Sequence, residues 1–133
     1  MLPSLHDNYL ISYSVNCKNR EISLSARRYQ PAEDALIRTV VFTGVRGYHL
    51  MNDAFGNIIF SLSEISLDQF FSEYGGEVVE SHRLAGAPGS WAADITTGRE
   101  TLQSDDVKAF ILSSSYGLSG WLLATNFEVL DAS

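Results

Sequence analysis

The stretch "YLISYSVNCKNREISLSARRY", residues 9–29, decides the fold class of this chain. From residue 21 onward, Ile22, Leu24 and Ala26 alternate with polar or charged residues, which is the period of a strand that is buried on one face. The intervening "KNR" is typical of a turn, so the stretch predicts a β-hairpin. The first strand alternates in the same way and predicts one inward face, formed by Tyr9, Ile11, Tyr13, Val15 and Cys17.

Four further segments also favour strands, because they are rich in β-branched and aromatic residues. The first, "LIRTVVFTGVRGYHLM", is long for one strand, and Gly44 and Gly47 indicate a bulge or bend within it. "NDAFGN" then turns the chain, and "YGLSG" turns it again near the end of the sequence. These segments predict two more hairpins, which pair residues 36–51 with 58–65 and residues 107–115 with 120–130.

Helices are predicted between the second and third hairpins. Ser66 and Gln69 have the spacing of a capping box, and an apolar stripe follows at helical spacing. Gly75-Gly76 predicts the end of this helix, and residues 77–85 predict a further short one. Thr97 and Glu100 fit a second capping box, while residues 84–98, "LAGAPGSWAADITTG", predict a surface excursion.

Length and pattern together predict one α+β domain that spans residues 1–133. We expect a mainly antiparallel, twisted sheet of about six strands in three hairpins, with one or two helices inserted between the second and third hairpins. Because such a sheet has edge strands, a homodimer is also expected.

Charge and composition exclude several classes of protein. Sixteen acidic residues against nine basic ones give a net charge of −7, which disfavours nucleic-acid binding. The single cysteine, Cys17, forms neither an internal disulfide nor a zinc cluster. The N-terminal residues lack the pattern of a signal peptide, and no apolar run is long enough to span a membrane. We therefore expect a cytoplasmic protein without a cofactor or a structural metal.

Two constellations are candidate sites. If the start of the first strand lies beside the end of the third, His6, Asp7, His49 and Asp53 converge and suit a divalent metal or acid–base catalysis. Polar capping of turns explains the same residues without any chemistry. The second constellation is aromatic: Trp91, Tyr116 and Trp121 either anchor a partner or close the end of the core.

Acidic residues predict a rim that attracts a basic partner through long-range electrostatic steering. A solvated surface that confers solubility is the alternative. The acids concerned are Glu33, Asp34, Glu64, Asp68, Glu73, Glu77, Glu80, Asp105 and Asp106.

At "LHDNYLISYSV", "GYHLMNDAFGNIIF" and "SSYGLSGWLL" the chain resembles small bacterial α+β proteins of uncharacterised function. Some such proteins are immunity proteins that neutralise secreted toxins. The resemblance implies a compact, acidic, cytoplasmic protein and assigns no functional residue.

The sequence therefore favours a non-enzymatic, immunity-type or regulatory protein that binds another protein through an acidic face and the aromatic ends of its sheet. The alternative is a small metal-assisted or acid–base enzyme that uses His6, Asp7, His49 and Asp53.

Overall fold

The computed structural model describes residues 1–28 and 36–132, so Glu33 and Asp34 of the predicted acidic rim lie outside the described residues. Within these ranges the chain forms eight strands, two α-helices and one short 3-10 helix, Ser90–Ala93. The strands are β1 (Asn8–Asn16), β2 (Glu21–Arg28), β3 (Ile37–Thr43), β4 (Gly47–Met51), β5 (Asn57–Ile65), β6 (Lys108–Tyr116), β7 (Ser119–Ala124) and β8 (Asn126–Ala132). The helices are α1 (Leu67–Ala85) and α2 (Ile95–Ser104).

The eight strands form one antiparallel sheet in the order β4-β7-β6-β5-β1-β2-β3-β8. The α+β class and the antiparallel sheet are as predicted, and so are the hairpins β1–β2 and β6–β7. The number of strands is eight rather than about six. The second predicted hairpin is wrong, because β4 pairs with β7 while β5 pairs with β1 and β6.

Two bends explain the difference in strand number. The predicted third strand breaks at residues 44–46 into β3 and β4, and the predicted last strand breaks at Thr125 into β7 and β8. Gly44 has φ +62°, and a Cβ there would lie 2.0 Å from Thr125 Oγ1, so the bend requires glycine. The Thr125 backbone N–H donates to Thr43 O at 3.1 Å and joins the two bends. β3–β4 and β7–β8 are thus the two long strands of one bent antiparallel ribbon. Through this bend the sheet curls back on itself.

The curled sheet separates two apolar cores. The inner core lies between the strands and includes Phe42, Phe110 and Leu122. The outer core lies between the helices and the other face of β6 and β7, where Ala109 and Leu123 pack against the helical layer. Successive residues of β6 and β7 therefore face opposite cores, which buries both faces of these strands.

The helical layer differs from the prediction in three places. Ser66 caps α1 as predicted, by accepting from the Gln69 backbone N–H at 3.0 Å. α1 does not stop at Gly75-Gly76 but continues to Ala85, and α2 begins after the cap Asp94 rather than Thr97. Residues 84–98 are mostly exposed, as predicted for a surface excursion, but the 3-10 helix within them buries Trp91 and Ala92 in the outer core. Among the described residues, no helix has both the length and the apolarity to span a membrane.

Candidate binding site

A gap in the sheet opens where β1 separates from β5. The two strands pair only at Tyr9–Ile58 and Leu10–Asn57, and the register of β1 then shifts between Leu10 and Ser12. Beyond this bulge, β2 is the one strand of the described residues that pairs with β1. The inward face predicted for β1 is corrected accordingly: Leu10 is buried, whereas Ile11 and Tyr13 are exposed. The bulge shifts which side chains reach the core.

The other side of the gap is β4. This strand pairs with β7 along its whole length and, among the described residues, has no strand partner on its second edge. The Val45 backbone N–H donates to Arg20 O at 3.0 Å, so the bend before β4 lies against the start of β2. The free parts of β1 and β4 therefore flank one cleft, which is closed at this end by the turn between β1 and β2.

This cleft encloses a volume of about 500 Å³. Its apolar lining comes from Val15, Ile22, Val45 and Leu50, all of which pack on the inner core. A volume of this size, with an apolar floor and a few polar groups at the rim, is typical of a ligand site. The rim consists of Asn16, Cys17, Arg20, Glu21, Arg46, Tyr48 and His49, with Ala87 and Pro88 at the side of the helical layer.

Two arginines bring positive charge to the rim of the cleft. Arg46 donates to Asp105 Oδ2 at 2.8 Å, and its carbonyl accepts from Trp91 Nε1–H at 2.9 Å, so it is held by two contacts. Arg20 makes no ion pair with any of the described residues, although it belongs to a chain of net charge −7. In the described part of the chain, the rim of the cleft therefore carries one arginine that is not held in an ion pair.

The other end of the gap is closed by a hydrogen-bonded network around Asn57. This buried side chain accepts from the Leu118 backbone N–H at 2.8 Å and donates to Asp53 Oδ1 at 2.9 Å. Asp53 also accepts from Tyr13 Oη at 3.0 Å, so the loop after β4 is tied to β1. Donation from Asn57, from the Phe55 backbone N–H and from Tyr13 lowers the pKa of Asp53, and the bond to Asp53 raises the pKa of Tyr13.

The predicted His/Asp constellation does not form one group. His6 Nε2 lies 3.3 Å from Asp7 Oδ2, and its Nδ1 lies 3.0 Å from Phe60 O, so this pair is bound at the start of β1. Asp53 belongs to the network at Asn57, and His49 lies on β4 at the cleft. Within residues 1–28 and 36–132, no three His, Cys, Asp or Glu side chains are placed to hold a metal ion.

The aromatic constellation is also divided. Trp91 and Trp121 have only 8% and 6% of their surface exposed, and both belong to the outer core. Their predicted role as partner anchors is corrected, since the helical layer covers both rings. Tyr116, at the end of β6, is 60% exposed. The run "WLLA" carried the missed signal, because continuous apolar residues indicate a strand that is buried on both faces.

The described acids of the predicted rim do not line the cleft, although Asp105 pairs with Arg46 at its rim. Asp68, Glu73, Glu77 and Glu80 are exposed on α1, which covers the outer face of the sheet. Prediction from the sequence missed Cys17, Arg20 and Arg46 as residues of one site. No sequence pattern links Arg46 to the other two, because the bend after β3 brings it beside the turn that holds them. Comparisons with family models, curated proteins and solved structures found no match to this chain.

Proposed function

We propose that this chain is a non-enzymatic binding protein that receives a segment of a protein partner in the cleft between β1 and β4. The observation that carries the proposal is the apolar floor of the cleft, which lies open between the edge of β4 and the part of β1 beyond Leu10, both without a strand partner there among residues 1–28 and 36–132. Open strand edges present unpaired N–H and C=O groups and are a known means of binding extended peptides.

The contacts around the cleft support a preformed site. Its floor packs on the inner core through Val15 and Leu50, and its two ends are fixed by the Val45–Arg20 and Asp53–Tyr13 hydrogen bonds. A site that is already ordered loses less conformational entropy when a ligand binds. The residues that form the floor and the ends of the cleft therefore favour binding of a partner segment.

The biological setting that we propose is the immunity-type or regulatory role implied by the resemblance to small bacterial proteins, in the cytoplasm. The exposed acids of α1 do not line the cleft, and a basic surface of the partner is their expected counterpart. The cleft and the acidic face thus contribute separately to recognition. The cleft receives a segment of the partner, and the acidic face attracts a basic surface of the partner electrostatically.

The single cysteine allows a direct test, because Cys17 is exposed and lines the cleft. A library of random linear peptides displayed on phage is selected against the protein, and the selected peptides are then tested against protein that carries a bulky maleimide on Cys17. We expect binding to be lost. The matched control moves the same label to the outside of α1 in a Cys17→Ser, Ser81→Cys variant, which should bind normally. Failure to select any peptide, or equal binding to the labelled protein, would contradict the proposal.

A further inference from the structure

The free edge of β4 is a template for one more strand. β4 extends over Gly47–Met51, and its pairing with β7 leaves the second edge without a strand partner among the described residues. Five residues at ~3.3 Å each give an edge of roughly 17 Å, which is enough for a short extended peptide. The backbone groups on this edge, which have no strand partner in the described ranges, would form strand hydrogen bonds with such a segment.

The side chains of β4 determine what the added strand meets. Leu50 packs on the inner core and Tyr48 shares its face, whereas the His49 ring lies 6.3 Å from the ring of Trp121 on the other face. Because side chains alternate, every second residue of an added strand would lie over the apolar floor. Apolar residues are therefore expected at alternate positions of the peptide.

Charge selects among extended peptides. Arg46 has Asp105 as its partner, but Arg20 has none in the described part of the chain, and both line the cleft. A carboxylate that contacts an arginine accepts charge-assisted hydrogen bonds from the guanidinium group. Two parallel bonds form where two of its N–H groups are free. Glu21 on the same rim disfavours several acids together and so favours one acid at a defined place.

We infer that the partner segment is an extended peptide that adds to the free edge of β4, with alternate apolar residues over the floor and a carboxylate at Arg20. This inference rests on the proposed function and defines the chemistry of its ligand. A neutral or basic peptide, and a second copy of this chain, are the competing occupants that the experiments distinguish.

The first experiment measures the affinity of the selected peptides for charge variants. With Arg20→Glu we expect the affinity to fall about tenfold or more, because a lost charge-assisted bond and a new repulsion together exceed about 1.4 kcal/mol. Arg20→Lys should recover part of the loss. Arg28→Glu is the matched control: it makes the same charge change at the exposed far end of β2 and should leave the affinity within about twofold.

The second experiment measures amide hydrogen exchange with and without a selected peptide. We expect the amides of Gly47–Met51 to gain protection, while those of the exposed face of α1 do not change. Protection of β4 without any peptide that increases with protein concentration would assign the edge to a second copy and overturn the inference.

The outcomes separate the inference from the proposed function. Peptides that require an unlabelled Cys17 but contain no acid, or that bind the Arg20→Glu variant as tightly as the parent protein, would overturn the inference and leave the proposed function in place. If no peptide depends on the cleft, both fail. Acid-containing peptides that protect β4 and lose affinity with Arg20→Glu would support both.

Discussion

The β6–β7 pair and the β1–β4 gap belong to the same sheet but differ in what covers them. In β6 and β7, neighbouring residues such as Leu122 and Leu123 enter opposite cores, and both are almost fully buried. At the gap, Tyr13 and Tyr48 keep 39% and 43% of their surface exposed. Among the described residues, one edge of β4 and the part of β1 beyond Leu10 lack a strand partner there. The comparison teaches that the part of the sheet that is buried on both faces is distinct from the part in which we propose partner binding.

The largest effect is expected where both faces are buried. Phe110 is fully buried, and its ring centre lies 4.9 Å from that of Phe42. Phe110→Ala should lower the free energy of unfolding by about 3–5 kcal/mol, as measured by urea denaturation, because it leaves a cavity. Tyr48→Ala, at the gap, should cost about 1 kcal/mol or less. Similar losses for the two variants would show that the gap is as tightly packed as the core.

Two helical glycines sharpen the comparison within the helical layer. A Cβ on Gly98 would lie 2.2 Å from Trp91 O, a backbone atom that no rotamer change can move. Gly98→Ala should therefore destabilise the protein by about 1–3 kcal/mol. Gly76→Ala on α1 meets no atom within 4 Å and should stabilise by about 0.5–1 kcal/mol. Thermal unfolding of both variants tests the opposite signs, and two changes of the same sign would contradict the packing described.

The hydrogen-bonded network around Asn57 predicts a loss of stability that is similar to or smaller than that of Gly98→Ala. Asn57→Ala removes the acceptor of the Leu118 N–H and should cost about 1–3 kcal/mol in urea denaturation, because a buried donor is left unsatisfied. Asn126→Ala on the exposed start of β8 is the control and should change stability by about 0.5 kcal/mol or less. Equal effects would mean that Asn57 does not hold the loop.

The smallest effect concerns pH. Hydrogen bonds lower the pKa of Asp53 from its ordinary value of 3.8, so its charged form stabilises the folded state above that pH. This stability is lost as the pH falls through the lowered pKa. Unfolding midpoints measured on acidification below about pH 4 should fall less steeply for Asp53→Asn than for the parent protein. Glu128→Gln on β8 is the charge-matched control, and a slope that Asp53→Asn leaves unchanged would contradict the prediction.

The sequence was sufficient for features that depend on neighbouring residues. The hairpins β1–β2 and β6–β7 and the cap at Ser66 follow from local alternation and spacing. The partner of β4 could not be predicted, because its pairing of Gly47 with Leu123 depends on a bend and on residues distant in the chain. α1 passes through Gly75 because that residue packs closely against Ile95 of α2, and this contact outweighs its weak helix propensity.

The candidate site was harder to predict than the fold. His49 was selected from the sequence and does line the cleft, but as a neighbour of Arg20 and Arg46 rather than of His6. An arginine in a turn and another in a bend carry no shared pattern along the sequence. Their proximity follows from the Val45–Arg20 hydrogen bond, which exists only in the folded chain.

The pairing of β3 with β8 has a consequence for synthesis on the ribosome. Ile37 pairs with Ala132, so β3 lacks its outer neighbour until the last described strand has left the exit tunnel. Contacts this distant in sequence form slowly, because a long loop must close first. During that interval the nascent chain presents the β3 edge, including Val40 and Phe42, to other chains. Chaperone engagement of the unfinished chain is therefore expected at β3, and release is expected once β8 has emerged.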